Sequence, residues 1–552
     1  MCEELFGQSY PKYSECGGTA MLLSKLGTTL RKGIYYVSRV INGIGVAFLA
    51  IMMFLTAADV IGRYVFSKPI VGAFELTEFM MAIVVALALA YTGVKKGHVT
   101  VDVVINKFTP KVQAIINSIT CFFSLAVFSL IIWRSISYAI RLKEGNFLSA
   151  ALNAPVYPFV LIVAFGAFIF CLVLLVNLVE NLAQIIKGGK RQTLLGLLML
   201  IVMVIAVFSG MPIGIVMLFL GFLGMAYVAG IMPTLTTLGS SPYRTASSYG
   251  LSIVPLFVLM GAFTFHSGIT RELYDTAYKW LGRLPGGLSM ATIVACAAFS
   301  AVSGSSVATV ATMGMVALPE MRRFKYDPGL ATGTIAAGGG LDILIPPSIV
   351  LVIYGLLTEQ SIGKLLLAGF LPGIMQTIMY MIAIYIVCKR NPTLGPIGEK
   401  TTALQKLISL KNTWSVLLLF IIVMGGLYLG VFTPTEAAGI GAFGAFLISV
   451  GKRQLSWKGF ADALLETGET TAMVFIILIG ADILGYFLAV ARLPNELASL
   501  IIGLQFDRYV IMTIIVFIYL LLGCIMSSLA MIVLTVPIFF PIVTALDFDP
   551  IW

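Results

Sequence analysis

Two apolar stretches of this chain are interrupted by small hydroxyl residues, which are the first candidates for chemistry. The first interruption is Ser303-Gly304-Ser305-Ser306, and the second is Ser527-Ser528. Hydroxyl and backbone carbonyl oxygens are the hard ligands that Na⁺ requires, and a glycine permits the turn that would bring them together. The pattern predicts a cation or solute site, although small residues also serve helix packing in membranes.

The two interruptions occupy equivalent places in a repeat. Ser305 and Ser527 are 222 positions apart, and so are Pro319 and Pro541. Many secondary transporters build a midplane site from repeats whose helices are interrupted. Basic residues follow Pro319 and acidic residues follow Pro541, so the positive-inside rule predicts that the repeats have opposite orientations. A chance similarity among apolar segments is the alternative.

The stretch from Leu288 to Met321 holds the first interruption near its middle. Each arm beside the serines is shorter than the roughly 20 residues that a helix needs to cross the hydrocarbon core. We therefore expect a hairpin that enters and leaves the membrane on one face, rather than a single broken crossing.

A second interruption follows along the chain, and it carries a charge. The stretch from Thr332 to Leu357 contains Gly338-Gly339-Gly340, then Asp342, then Pro346-Pro347. Successive glycines and prolines cannot sustain a regular helix, so we expect the backbone to unwind at membrane depth. A carboxylate there is costly unless it faces a partner, an ion or a proton path. Asp342 is thus a candidate ionic residue, and capping of the second half-helix is its alternative role.

The elements that must position these residues are those of a membrane protein. Hydrophobic residues make up 59% of the 552 residues and charged residues only 11%, which excludes an ordinary soluble protein. Apolar stretches of about 20 residues recur along the chain, whereas short alternating strands do not. The composition predicts an all-α polytopic membrane protein whose environment is the lipid bilayer.

The net charge of +10 is distributed in clusters beside apolar segments. Arg31 and Lys32 precede the first predicted span, and Lys190 and Arg191 follow the fourth. The positive-inside rule therefore predicts a cytoplasmic N-terminus. Nucleic acid is not an expected partner, because the sequence has no soluble basic domain.

The sequence lacks the motifs that would indicate an enzyme. It contains neither a GxxxxGK[ST] phosphate loop nor an HExxH or GxSxG motif, which disfavours nucleotide hydrolysis and intramembrane hydrolysis. No nucleophile, base and metal set is recognisable. In the first part of the chain, unusual polar positions near span ends predict interfacial ion pairing; they are Asp59, Arg63, Glu75, Glu78, His98 and Asp102.

A short basic, glycine-containing segment is the best boundary in the chain. The predicted division is a cytoplasmic tail (1–33), a four-helix membrane domain (34–187), a linker (188–192), and a larger domain (193–552) with repeats 194–385 and 414–552.

Specific motifs resemble those of the tripartite ATP-independent periplasmic (TRAP) transporter family. Arg63-Tyr64-Val65-Phe66 and His98-Val99-Thr100-Val101-Asp102 resemble its small four-helix subunit. The run from Ser303 to Thr309 and Leu344-Ile345-Pro346-Pro347-Ser348 resemble its large subunit. The chain thus resembles a fused small-and-large permease over nearly its whole length.

The resemblance implies an elevator-type transporter in the bacterial cytoplasmic (inner) membrane. A mobile domain of re-entrant hairpins and unwound helices would carry solute past a scaffold that the N-terminal four-helix domain enlarges. Import would be driven by Na⁺, and a periplasmic substrate-binding protein would deliver a small organic anion, a carboxylate or a sulfonate.

Matching positions then imply two sets of site residues. The first Na⁺ site would use Ser303 and Ser305 with backbone oxygens around Asp342, Ile345 and Pro347. The candidate solute-binding residues are Ser306, Thr309, Ser348, Ser527 and Ser528.

Three departures from the family pattern are informative. Members commonly have glycine where this chain has Asp342, and an acidic residue where it has Ser527. We hypothesise that the ion-coordinating charge has moved from the second hairpin to the first unwound helix. The sequence also stops at Trp552, where the second unwound helix is expected to begin, so the C-terminal end is expected to be incomplete.

Two alternatives to a Na⁺-coupled permease that depends on a binding protein stay open. One is a binding-protein-independent elevator carrier, and the other is a non-transporting membrane scaffold.

Overall fold

A computed structural model describes the fold outside a few segments. Within the described part, the regular elements are α-helices and short 3₁₀ turns, with a single isolated β-bridge between Leu148 and Pro155. Nine helices of that part are long and apolar enough to cross a membrane, which confirms the prediction of a polytopic all-α protein. The described residues are 18–95, 110–185, 211–398, 401–490, 507–524 and 526–552.

Four long helices form the first part of the chain. Helix α1 begins at Gly18, so residues 18–33 of the predicted tail are helical; no proline interrupts the run to Val65. Each of the four exceeds the roughly 20 residues needed to span a bilayer. Their bounds are α1 Gly18–Val65, α2 Ala73–Val94, α3 Pro110–Glu144 and α4 Tyr157–Ile185.

The following elements alternate between apolar helices and two amphipathic ones. The amphipathic helices carry charged or hydroxyl residues along one side, and they separate helices most of whose side chains are buried. The bounds are α5 Ile213–Ala229, α6 Ile231–Ala246 (amphipathic), a 3₁₀ turn Tyr249–Ser252, α7 Ile253–His266 and α8 Ile269–Leu281 (amphipathic).

The candidate site lies on the next group of helices, all of them short except the last. Their bounds are α9 Gly287–Ser303, α10 Ser306–Arg323, α11 Pro328–Gly339, a 3₁₀ turn Gly340–Ile343, α12 Ile349–Leu357 and α13 Ile362–Arg390.

Five further helices complete the described chain. They are α14 Ala403–Tyr428, α15 Pro434–Gly451, α16 Trp457–Val490, α17 Arg508–Gly523 and α18 Ser528–Ala545. Helices α10 and α18 have the same length of 18 residues and begin 222 positions apart. This correspondence agrees with the predicted repeat, while the opposite orientation of its halves stays a prediction from charge.

Helix α16 is the centre of the packing. It contacts α1 and α2 of the first part as well as α5, α6 and α7. Small residues permit the closest of these approaches, since a Cβ added at Gly480 would lie 2.2 Å from the carbonyl oxygen of Gly214 on α5. Membrane helices commonly pack through small residues in this way. The core around α7 and α16 includes the fully buried Phe257, Phe263 and Phe475.

Candidate ion and solute site

The first serine interruption is the tip of a helical hairpin. Helix α9 ends at Ser303, helix α10 begins at Ser306, and the two helices pack against each other. Gly304 turns the chain with φ +66°, a left-handed conformation that favours glycine. Ser305 is the N-cap of α10, and its hydroxyl accepts a hydrogen bond from the Ala308 amide at 3.4 Å. The chain therefore turns back on itself as a hairpin, while the entry and exit of that hairpin on one membrane face stay a prediction.

The backbone unwinds between α11 and α12, as the glycines and prolines predict. Only a 3₁₀ turn lies between Gly339 and Leu344, and regular helix resumes at Ile349. Ser348 bridges the break with two hydrogen bonds. Its hydroxyl donates to the Ile343 carbonyl at 2.7 Å and accepts from the Leu351 amide at 3.4 Å. Ser348 is thus the N-cap of α12, and the alternative capping role for Asp342 is wrong.

Asp342 instead faces the hairpin. The residue is only 2% exposed, and its Oδ2 accepts a hydrogen bond from the Thr309 hydroxyl. Its Oδ1 is buried and has no hydrogen-bond partner among the described residues. The Ser300 hydroxyl and the Gly304 amide are the next polar groups around the carboxylate, and the Ser300 oxygen also lacks a partner in the described part.

The hairpin tip and the unwound segment meet directly. A Cβ at Gly304 would lie 3.0 Å from the carbonyl oxygen of Pro347. One helical turn further along, a Cβ at Gly339 would lie 2.1 Å from the Val310 side chain. The fold therefore brings together five of the predicted residues, which are Ser303, Ser305, Thr309, Asp342 and Pro347.

The remaining predicted residues of this region lie around that group. Ile345 packs toward α13, where a Cβ at Gly373 would meet its side chain at 2.7 Å. Ser306 is the first residue of α10 and is partly exposed. Ser300 was not among the predicted residues. It lies one helical turn before Ser303 on the same face of α9, and that i, i+3 spacing is the signal that could have identified it.

The second interruption is also the start of a helix that follows another apolar helix. Ser527 is the N-cap position of α18 and is exposed, and its side chain makes no capping hydrogen bond. Helix α18 packs against α12 and α16, and the Tyr354 hydroxyl donates to the Pro550 carbonyl at 2.6 Å. Within the described residues, no hydrogen bond joins Ser527 or Ser528 to the first tip.

Of the polar residues in the first part, Asp59 and Arg63 form the predicted ion pairs, whereas Glu75 is hydrogen-bonded to backbone amides. Arg63 pairs with Asp59 on its own helix and with Glu436 on α15 at 2.5 Å. Glu75 accepts hydrogen bonds from the Ala151 and Leu152 amides at 2.6 and 2.8 Å. His98 and Asp102 lie outside the described residues.

A chain of apolar helices with a helical hairpin packed on an unwound segment has the architecture of a multi-pass membrane transporter. The family model described as "Tripartite ATP-independent periplasmic transporters, DctQ component" matches residues 52–184. The model for the DctM component of the same system matches residues 197–552.

Curated relatives agree with these two matches. The isethionate TRAP transporter permease protein DctMQ of Oleidesulfovibrio alaskensis is 30% identical over 92% of this chain and 82% of its own length. The sialic acid TRAP transporter permease protein SiaT of Haemophilus influenzae is 26% identical over 92% and 87%. The C4-dicarboxylate TRAP transporter large permease protein DctM of Pseudomonas aeruginosa is 37% identical over 56% and 72%.

The chain belongs to the tripartite ATP-independent periplasmic transporter family, as a fusion of its small and large permease components. It is accordingly a multi-pass membrane permease and not an enzyme.

Proposed function

We propose that this permease uses a Na⁺ gradient to import a small organic anion that a periplasmic substrate-binding protein delivers. The membrane is the bacterial inner membrane, with the N-terminus in the cytoplasm, and the movement is that of an elevator. The observation that carries the proposal is the buried Asp342 carboxylate, which has one oxygen without a partner and lies beside the hydroxyls of the hairpin tip.

An ionised carboxylate in this position requires a positive charge. Burying an unpaired charge in a low-dielectric interior is costly, and intramembrane carboxylates generally face a partner or an ion. Among the described residues, no lysine, arginine or histidine forms a salt bridge with Asp342. A Na⁺ ion would supply that charge.

The oxygen donors around the carboxylate fit a hard cation. The Ser303 and Ser305 hydroxyls lie at the tip, and the Pro347 carbonyl oxygen faces Gly304. With Asp342 and the Ile345 backbone, these groups would hold the ion. Binding would thereby tie the hairpin to the unwound helix, so that the ion shapes the adjacent solute site.

Helix N-termini beside the tips suit an anionic solute. Ser306 begins α10 and Ser528 begins α18, and the partial positive charge at such ends favours carboxylates and sulfonates. Ser306, Ser527 and Ser528 are the stronger solute candidates. The hydroxyls of Thr309 and Ser348 already donate hydrogen bonds within the protein, so a role in solute binding would require those bonds to be exchanged.

The distribution of contacts supports a division into fixed and moving parts. The main contacts of α1 to α4 with the rest of the chain fall on α5, α6, the 3₁₀ turn Tyr249–Ser252, α15 and α16. The hairpin α9–α10 and the broken helix α11–α12 take no part in those contacts. A scaffold formed by the first group would leave the second group free to move as a unit.

Uptake by purified protein in liposomes tests the proposal. We expect isethionate or a C4-dicarboxylate to accumulate only when an inward Na⁺ gradient and a binding protein loaded with that solute are both present. Uptake that proceeds without any soluble protein would identify a binding-protein-independent carrier. Absence of Na⁺-stimulated uptake of all organic anions supplied with their binding proteins would contradict the proposal and favour a membrane scaffold.

A further inference from the structure

A cleft of about 390 Å³ lies between the two components of the fusion, away from the serine tips. One wall is α3 of the small component. The other is α6 of the large component together with Ser247, which follows that helix. All seven lining side chains can donate a hydrogen bond, and none is acidic. They are Tyr138, Arg141, Thr236, Ser240, Tyr243, Arg244 and Ser247.

The lining carries the positive charges of Arg141 and Arg244, and the nearest carboxylates, Glu78 beside Tyr243 and Asp482 beside Arg244, lie outside it. Arg141 forms no salt bridge within the described part of the chain. Arg244 pairs with Asp482 at 2.9 Å, and that carboxylate is outside the lining. A third guanidinium, Arg134, lies on the same side of α3 and donates to the Thr236 hydroxyl at 3.2 Å. Guanidinium and hydroxyl groups together are the preferred partners of phosphate oxygens.

The surroundings of the cleft are those of a membrane–water boundary. Arg141 lies three residues before the end of α3 at Glu144. The neighbouring face of α3 exposes Trp133 (56%), Ile136 (41%) and Ile140 (50%). Tryptophan and tyrosine are enriched where a helix leaves the hydrocarbon core, and exposed isoleucines beside them suit acyl chains. A lipid could thus place its headgroup in the cleft and its tails along this face.

We propose that the cleft binds the phosphate of an anionic phospholipid headgroup. Because one wall belongs to each component, the bound lipid would join α3 to α6 and stabilise the union of the small component with the scaffold. Guanidiniums from both walls would share the phosphate, with the hydroxyls of Ser240 and Tyr243 completing the contacts. A free solute anion is the less suitable occupant, since no residue of α9 to α12 lines the cleft.

The experiment uses the full-length permease purified in detergent and titrated with dioleoyl phosphatidylglycerol, with lipid retention followed by native mass spectrometry. We expect wild-type protein to retain this lipid in preference to zwitterionic phosphatidylcholine, and Arg141→Gln to weaken the retention about tenfold. Arg322→Gln is the matched control, because Arg322 is an exposed arginine at the end of α10. It should retain the lipid as wild type does.

Two results would overturn the proposal. One is equal retention by Arg141→Gln and Arg322→Gln. The other is an Arg141-dependent rise in melting temperature that isethionate produces and phosphatidylglycerol does not. The cleft would then be a site for free anions. If Arg141→Gln fails to fold, Arg141→Lys keeps the charge but loses the planar fork, and about threefold weaker retention is expected. Undiminished retention by a folded Arg141→Lys would count against recognition by the guanidinium.

Discussion

Thr309 on the hairpin arm donates a hydrogen bond to the Asp342 carboxylate on the unwound helix, across 33 positions of sequence. This bond joins the two interruptions of the first repeat through side chains. It occupies one carboxylate oxygen and leaves the other without a hydrogen-bond partner among the described residues. The hairpin and the broken helix are thereby linked at one buried acid, where the proposed coupling ion would bind.

Removing the charge of Asp342 should uncouple transport from Na⁺. In Asp342→Asn and Asp342→Gly, we expect the Na⁺ stimulation of uptake to fall at least tenfold, about 1.4 kcal/mol of lost ion binding. The measurement is initial uptake against Na⁺ concentration in liposomes. Asp547→Asn is the control, because Asp547 has φ +57° in a turn after α18 and asparagine tolerates that conformation. Unchanged coupling in both Asp342 variants would refute the ionic role.

We expect the Thr309 hydroxyl to act through the hydrogen bond that it donates and not through the space that the side chain fills. Thr309→Val is nearly isosteric but leaves the carboxylate without its hydrogen bond, which typically costs about 1–3 kcal/mol for a buried group. We expect a lower melting temperature and a changed Na⁺ dependence of uptake. Thr309→Ser retains a hydroxyl and should behave nearly as wild type. If the valine and serine variants have the same melting temperature and the same Na⁺ dependence of uptake, the hydrogen bond contributes to neither stability nor transport.

Gly304 should resist substitution at the hairpin tip. Gly304→Ala would place a side chain in the left-handed region, at a cost of about 1–2 kcal/mol, and 3.0 Å from the Pro347 carbonyl oxygen. We expect reduced uptake together with lower thermal stability. Gly314→Ala on α10 is the matched control, because a Cβ there meets nothing within 4 Å. A tolerated Gly304→Ala would show that the tip does not need this close approach.

The Arg63 ion pairs should hold the two components together. Arg63→Gln leaves the buried Asp59 and Glu436 without their counter-charge. Breaking a buried pair costs about 3–5 kcal/mol, and since the Arg63 side chain is 42% exposed, solvent screening reduces the expected loss to about 1–2 kcal/mol. Thermal unfolding measures it, with Arg39→Gln, an exposed arginine on the same helix, as the control. Equal melting temperatures for the two variants would argue against the pairing.

The prolines in apolar sequence differ in whether they break a helix, and the sequence alone does not predict which of them do. A proline inside a helix removes a backbone hydrogen bond, and Pro537 lies in apolar sequence as Pro346 does. Helix α18 nevertheless continues through both Pro537 and Pro541. Pro346 lies in a break because three glycines precede it and a second proline follows, so that the helix is weakened on both sides.

The role of the serines was likewise only partly predictable. Repeat spacing identified Ser305 and Ser527 as positions where helices are interrupted, and the glycines and prolines placed the break just before Ser348. Small hydroxyl residues favour helix N-caps. Only the fold distinguishes them: Ser348 bridges the break through two hydrogen bonds, whereas Ser527 caps nothing with its side chain. Ser300 became a candidate through its closeness to Asp342 in the fold.

Composition and local propensity determined the class of this protein, its helices and the places where they break. They act through near neighbours in sequence, which the chain itself displays. Tertiary structure decided which polar groups meet. The choice of Thr309 as the partner of Asp342 depends on packing between segments that are 33 positions apart in sequence. Such contacts are set by the geometry of the whole bundle, and no local pattern records them.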